Sequence, residues 1–298
     1  MELKKPQTVD EQIDRLICHK MNIGDTSFAK QTLSEINYYR FSGYALQFRD
    51  NENPDDYVQG TKFEDVWQLL RFDAEMRYIL KQYLDIVELY ARTQISHIFS
   101  LLKCRKPPYD QHYKSSNFFN KEIHNNIITS SLDREKVNSK DSLFVIHHDE
   151  KYEGKMPLWV IVELLSFANL SKLYSAMYFG EQDEIAIAMG TSKETLKNHL
   201  HCLSNLRNKV AHSGRLYNVR YNPPVMLGRK FLHKNPDVIG NTLFAYMIAL
   251  LRRIPNEADE IGFIGKVAGI VSGKADCVQL DLLGFPKDYL VRLSREIK

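Results

Sequence analysis

Apolar residues recur at intervals of three and four along most of the chain, and that spacing predicts a succession of amphipathic helices. The first follows Thr8 and Glu11, a capping-box pair in which hydroxyl and carboxylate each satisfy a free backbone N–H, and carries Ile13, Leu16 and Ile17. After Gly24 and Asp25 a second helix is expected through Leu33 and Ile36 into NYYRFSGY, Asn37 to Tyr44. An acidic, polar loop spans 50–60. A second capping pair, Thr61 with Glu64, then opens roughly forty residues without Pro or Gly, in which Val66, Leu70, Ile79, Tyr83, Ile86, Val87 and Tyr90 predict one long helix or two end to end.

Residues 105–155 are polar, broken by Pro107, Pro108 and Gly154, and predict irregular structure with short helices. Pro157 suits the first turn of a helix over 158–179, whose lone acid is Glu163. Thr191 and Glu194 form a third capping pair before a helix expected from about Ser192 to about His212. Beyond it lie a loop around Pro223 and Pro224, a helix over about 242–253, and a last one after LGFPKDY. We divide the chain into a helical domain over 1–230 and a helical extension over 231–298 that packs on the same bundle.

Composition supports an all-α fold. Only 14 of 298 residues are glycine, below the usual ~7%, and the 44% apolar fraction is ample for a core. Forty basic against 37 acidic residues leave +3, so a polyanion site must be a local patch. The opening residues lack an apolar signal and no apolar run reaches the ~18 residues of a membrane span, so a cytoplasmic location is expected. Cys18, Cys104, Cys202 and Cys277 are far apart and read as reduced, idle thiols. Neither a metal site nor a cofactor is expected: the histidines lack ligand spacing and no glycine-rich phosphate loop is present.

Chemistry concentrates in HCLSNLRNKVAHSGRLYN, His201 to Asn218. On a continuous helix His201, Asn205, Asn208, His212 and Arg215 share one stripe, opposite Leu196, Leu200, Leu203 and Val210. Solvent-facing stripes favour Lys and Glu, good helix formers; Asn and His are mediocre ones, so propensity did not choose them. Lys209, Arg215, Tyr217 and Arg220 join a longer run of cations, to Lys234, interleaved with Tyr221 and Phe231, a pattern suited to phosphates and unstacked bases. Glu88 and Arg92, four apart on the long helix, can pair.

Arg207, Asn208 and His212 spell R-N-x3-H, similar to the R-x4-6-H signature of HEPN domains. With NYYRFSGY, PLWVIVELLSFANLSKLY, RNKVAHSGRLYN and LGFPKDY in that order, the chain resembles the Abi-like family of AbiD/AbiF type, proteins of bacterial abortive infection. The resemblance implies an all-α, HEPN-like helical bundle with additional helices at both termini. It also implies a homodimer and metal-independent cleavage of RNA in phage defence, with Arg207, Asn208 and His212 catalytic and Glu88 and Arg92 supporting the motif from a neighbouring helix. Some AbiF-type relatives imply a noncoding-RNA partner as well. Histidine, with an ordinary pKa near ~6.5, can act as acid or base on the 2′-hydroxyl or the departing 5′-oxygen, and an arginine fork can stabilise the phosphate charge.

Arg207 lies about 140° around an ideal helix from His212, so a dimer axis or a bend is needed to bring both to one phosphate. Two rival readings stand beside the nuclease. One is a non-catalytic RNA-binding defence protein. The other is a DNA-binding helix-turn-helix over Glu184 to Leu200, with Ser192 to Leu200 entering a major groove.

Overall fold

The computed structural model describes Leu3 and residues 5–298. Among these residues there is no β-strand, only three isolated bridges, and the fold is all-α as the periodicity predicts. Thr8 caps α1 (Val9–Cys18) with both bonds of the capping box: its hydroxyl accepts the Glu11 N–H and its own N–H donates to the Glu11 carboxylate. The next segment is two helices rather than one. Ile36 turns extended after α2 (Thr26–Glu35), and the Asn37 side chain accepts the Tyr39 N–H to start α3 (Tyr38–Ala45).

The long pattern is a single helix, α4 (Phe63–Lys103), about 62 Å long at ~1.5 Å per residue. Its start corrects the Thr61/Glu64 reading by one position. The Lys62 N–H donates to Asp65 at 3.0 Å, while the Thr61 hydroxyl turns to the Val58 carbonyl. Short helices follow, as expected of a broken polar stretch: α5 (Lys121–Asn125), α6 (Leu132–Asn138) and α7 (Leu143–Tyr152). The apolar run 158–179 divides into α8 (Leu158–Leu164) and α9 (Phe167–Ala176), because Leu165 is extended and the Ser166 hydroxyl caps the second helix.

After α10 (Phe179–Ala188), the motif helix α11 (Lys193–Ala211) is capped by Ser192, whose hydroxyl accepts the Thr195 N–H; Thr191 plays no such part. The C-terminal region contributes α12 (Arg229–Lys234), α13 (Leu243–Leu251), α14 (Glu257–Ser272) and α15 (Tyr289–Ser294). Every residue of α13 is buried, and a fully buried Leu, Ile, Phe or Met side chain stabilises by about 1.5–3 kcal/mol. The sequence pattern missed α14, whose glycines hide its periodicity. One of them has a packing reason: at Gly262 a Cβ would lie 2.9 Å from the Tyr83 hydroxyl, so glycine lets α14 close on α4.

Helix α4 is the pillar of the bundle. Helices α3, α8, α9, α10, α11, α13 and α14 all pack on it, and α11 in turn packs on α9, α10 and α13. One continuous core runs from Ile13 to Leu293, so 231–298 shares the core of the preceding residues. No helix among the described residues is long and apolar enough to cross a membrane.

Candidate active site at the end of the motif helix

Helix α11 stops just short of the expected point, and the way it stops places His212. Ala211 is its last residue and His212 its C-cap. Ser213 takes a left-handed conformation, φ 53°, its N–H donates to the Val210 carbonyl, and the Gly214 N–H donates to the Lys209 carbonyl at 2.7 Å. This is a Schellman turn, which satisfies carbonyls that the helix end leaves free. Glycine is required at 214, since a Cβ there would stand 2.9 Å from the Lys209 carbonyl oxygen. His212 is thereby left exposed on the first residue past the helix.

The turn is anchored by residues far away in sequence. Arg40 donates to the Ser213 carbonyl at 2.6 Å, Arg77 reaches the Gly214 carbonyl at 3.5 Å, and Arg215 donates to the Gly43 carbonyl. Asp73, buried on α4, accepts the N–H of Leu216 (3.1 Å), the N–H of Tyr217 (2.8 Å), the Tyr44 hydroxyl (2.5 Å) and the Arg77 guanidinium. Burial raises the Asp73 pKa against the pull of these donors. Burial and Asp73 together raise the Tyr44 phenol. So NYYRFSGY and the first half of α4 build the seat of the loop behind His212.

Two expectations change here. Arg215 is not on the stripe of α11, because the helix has already ended, and its guanidinium is bonded to α3. Tyr217 is not an RNA contact: it is 2% exposed, its hydroxyl donates to Gln47 and accepts the Gln279 N–H, and burial pushes its pKa up to about 12. Tyr221 is buried too, and the Phe231 ring lies under Arg252, so the cations of 207–234 are not interleaved with free rings. Arg220 is exposed, while Lys209 is half-buried with its ammonium 5.9 Å from the Tyr221 ring.

On α11 His201, Asn205, Asn208 and His212 do form an outward stripe, the first pair 3.5 Å apart through Asn205 Nδ2 and His201 Nε2. Arg207 turns the other way. Its Nε stands 3.1 Å from Glu88 Oε2, an ion-pair distance without hydrogen-bond alignment, and its side chain remains 35% exposed. Glu88 also pairs with Arg92, which donates to the Val162 carbonyl. The expected link between Glu88, Arg92 and the motif therefore exists through Arg207. Among the described residues no side-chain hydrogen bond or ion pair joins Arg207, Asn208 and His212 to one another.

The helix-turn-helix reading meets an obstacle. In the proposed recognition helix, Asn198 bonds the Pro224 carbonyl and the Met226 N–H, and His199 donates to the Met226 carbonyl at 2.8 Å. Leu196, His199 and Leu200 are buried, so the segment lies beneath the 223–227 loop and its neighbours rather than projecting toward a groove. Burial and the Arg253 charge push the His199 pKa down to about 3. Among the described residues no group of three or more His, Cys, Asp or Glu is placed to hold a metal ion.

An all-α bundle that spends two distant segments on fixing one exposed histidine defines a helical protein with a preformed polar site at the end of a long helix. The chain belongs to the family described as Abi-like protein, whose model matches residues 31–218. The matched span takes in NYYRFSGY and RNKVAHSGRLYN, the two segments that Asp73 ties together, and stops short of LGFPKDY. Membership associates the protein with abortive infection. No curated protein and no solved structure matches the chain.

Proposed function

We propose that the protein is a metal-independent endoribonuclease of HEPN type, acting as a toxin of abortive infection. The observation that carries this reading is His212: exposed, its imidazole without a hydrogen bond among the described residues, and its backbone held on a turn that three arginines and Asp73 immobilise. Such preorganisation is what proton transfer at a fixed phosphate demands. His212 takes the proton of the 2′-hydroxyl as its oxygen attacks phosphorus. The bond to the 5′-oxygen breaks, that oxygen receives a proton from an acid, and the products are a 2′,3′-cyclic phosphate and a 5′-hydroxyl. Arg207 stabilises charge on the phosphate oxygens, and Asn208, one turn back, orients His212 or the phosphate.

Because Arg207 faces Glu88 while His212 faces solvent, we infer that the active form is a homodimer in which each site combines groups of both copies. The decisive experiment incubates wild type and His212→Ala with total bacterial RNA and with matching DNA in EDTA, followed by end-group analysis. RNA alone is cut, leaving cyclic phosphate ends, and the variant loses about 10²–10⁴ in rate, the range for a positioned acid or base. Mixing Arg207→Ala with His212→Ala restores activity, since a mixed dimer keeps one intact composite site; two inert proteins that stay inert together defeat the shared-site reading.

The ion pair of Arg207 with Glu88 favours a second reading, in which Arg207 is structural and the protein binds RNA without cutting it. Binding without cleavage in the same experiment selects it.

A further inference from the structure

Four arginines gather around α3 without a carboxylate partner among the described residues: Arg15, Arg40, Arg49 and Arg215. Three are held by backbone carbonyls instead, Arg40 by Ser213, Arg49 by Asp55 and Arg215 by Gly43. Carbonyl anchoring fixes a guanidinium while leaving its charge uncompensated, the condition for receiving an anion. Two adjoining hollows, of about 470 and 750 Å³, share Tyr39, Ser42 and Arg49 along their common edge and so form one groove. The Tyr39 ring stands on that edge and is 85% exposed. The one acidic lining residue, Glu11, is already engaged by the Thr8 N–H in the cap of α1.

The groove shares two arginines with the turn beside the proposed site. Arg40 and Arg215 line it, and the same two side chains secure the turn that follows His212. By contrast, the groove between α4 and α8 mixes Arg92 and Arg105 with Glu163, and Arg92 is already spent on Glu88. An exposed ring among uncompensated, spaced arginines suits a chain of phosphates with an unpaired base between them.

We propose that single-stranded RNA lies in the α3 groove, its phosphates on Arg15, Arg40, Arg49 and Arg215 and one base stacked on Tyr39, and passes from there to His212. This rests on the reading above for its ligand, RNA, and not for the cleavage chemistry.

The test measures binding of a single-stranded RNA fully 2′-O-methylated, which cannot be cut, by fluorescence anisotropy across a salt series. Tyr39→Ala weakens binding about tenfold, while Tyr39→Phe, which keeps the ring, stays within twofold of wild type. Arg15→Gln lowers the slope of log affinity against log salt by about 0.7, one phosphate contact on a single strand. Trp159→Ala, which removes an exposed ring from the α4–α8 groove, binds as wild type does. Duplex RNA of the same sequence binds at least tenfold more weakly, because its bases cannot reach the ring.

The proposal falls if wild type does not bind the single strand, if Tyr39→Ala is silent, or if Trp159→Ala produces the loss instead. It falls equally if a polyanion without bases competes as well as the RNA does. The two readings separate cleanly. Binding that maps to the groove with no cleavage by wild type retains the groove and removes the nuclease. His212-dependent cleavage with Tyr39 and Arg15 both silent does the reverse.

Discussion

Helix α4 uses one device twice, with different results. At Asp73 and again at Glu88 a buried carboxylate pairs with an arginine four residues on, Arg77 and Arg92, and each carboxylate also reaches the motif segment. Asp73 is saturated: two backbone amides, a phenol and a guanidinium all donate to it, and it closes the loop of 216–217 onto the core. Glu88 keeps spare capacity, since Oε1 serves Arg92 while Oε2 only faces Arg207 at 3.1 Å without a hydrogen bond. The comparison teaches that a buried charge with every lone pair occupied is a structural clamp. One left partly unsatisfied holds its neighbour less firmly, and on the proposed mechanism that leaves Arg207 free to engage a phosphate.

The largest effect that follows is on stability at Asp73. In Asp73→Asn the amide keeps one acceptor oxygen, while its nitrogen confronts donors that now lack a partner. Removing one member of a buried pair costs about 3–5 kcal/mol. Urea unfolding of the variant should show that loss, and a change below ~1 kcal/mol would break the clamp half of the comparison.

His199 sharpens the same rule from the opposite side, as a buried ionisable group with no counter-charge. Its Nε2 donates to the Met226 carbonyl and its Nδ1 has no partner. With the folded pKa pushed down to about 3 by burial and Arg253, the proton prefers the unfolded chain. The stabilising contribution is full above the unfolded value near ~6.5 and is lost as pH falls from there toward the folded value. Between pH 7 and pH 5 the loss is about 2 kcal/mol from this group alone. His199→Gln can still donate to Met226 but does not titrate, so the stability gap between the two proteins should shift by that amount over this range; parallel profiles would show the imidazole to be solvated.

How much of this was legible in the sequence depends on whether a feature is local. The Thr8 cap, the apolar run that forms α4 and the end of α11 near His212 follow from neighbours within a turn or two, and cap spacing and periodicity point to them; one helix or two for α4, and Ser192 rather than Thr191 as the cap of α11, are settled only by the fold. Glu88 and Arg92 were legible as a pair, yet their link to Arg207 joins α4 to α11 and carries no local mark. Asp73 and Arg77 show the same i,i+4 spacing in the same apolar helix and were passed over, although that spacing was the available signal. Arg215 leaves the stripe because Ser213, whose left-handed backbone ends the helix, precedes it, and Tyr217 leaves the run of cations and rings because the fold buries it. Tyr39 and Arg40 sit in NYYRFSGY, but only the fold shows which of its rings faces solvent and which guanidinium holds the turn.

The smallest expected change in stability, and the one that best separates the two carboxylates, belongs to Glu88. In Glu88→Gln the amide oxygen still accepts from Arg92, and its nitrogen meets Arg207, a side chain exposed enough to swing away. The cost to folding is about 1 kcal/mol, because the bond to Arg92 persists and loses only its charge assistance. Cleavage responds differently from folding, because on the proposed mechanism Arg207 loses the carboxylate that aims it. A misplacement of about 1 Å can cost ~10²-fold, so kcat should fall about 10–100-fold while KM stays within about twofold. Asp73→Asn, assayed at a temperature where it is folded, should lose kcat by another route, because it loosens the turn that carries His212 and leaves the Glu88–Arg207 pair intact. A Glu88→Gln enzyme with unchanged kcat would mean that the spare lone pair on Glu88 has no part in aiming Arg207.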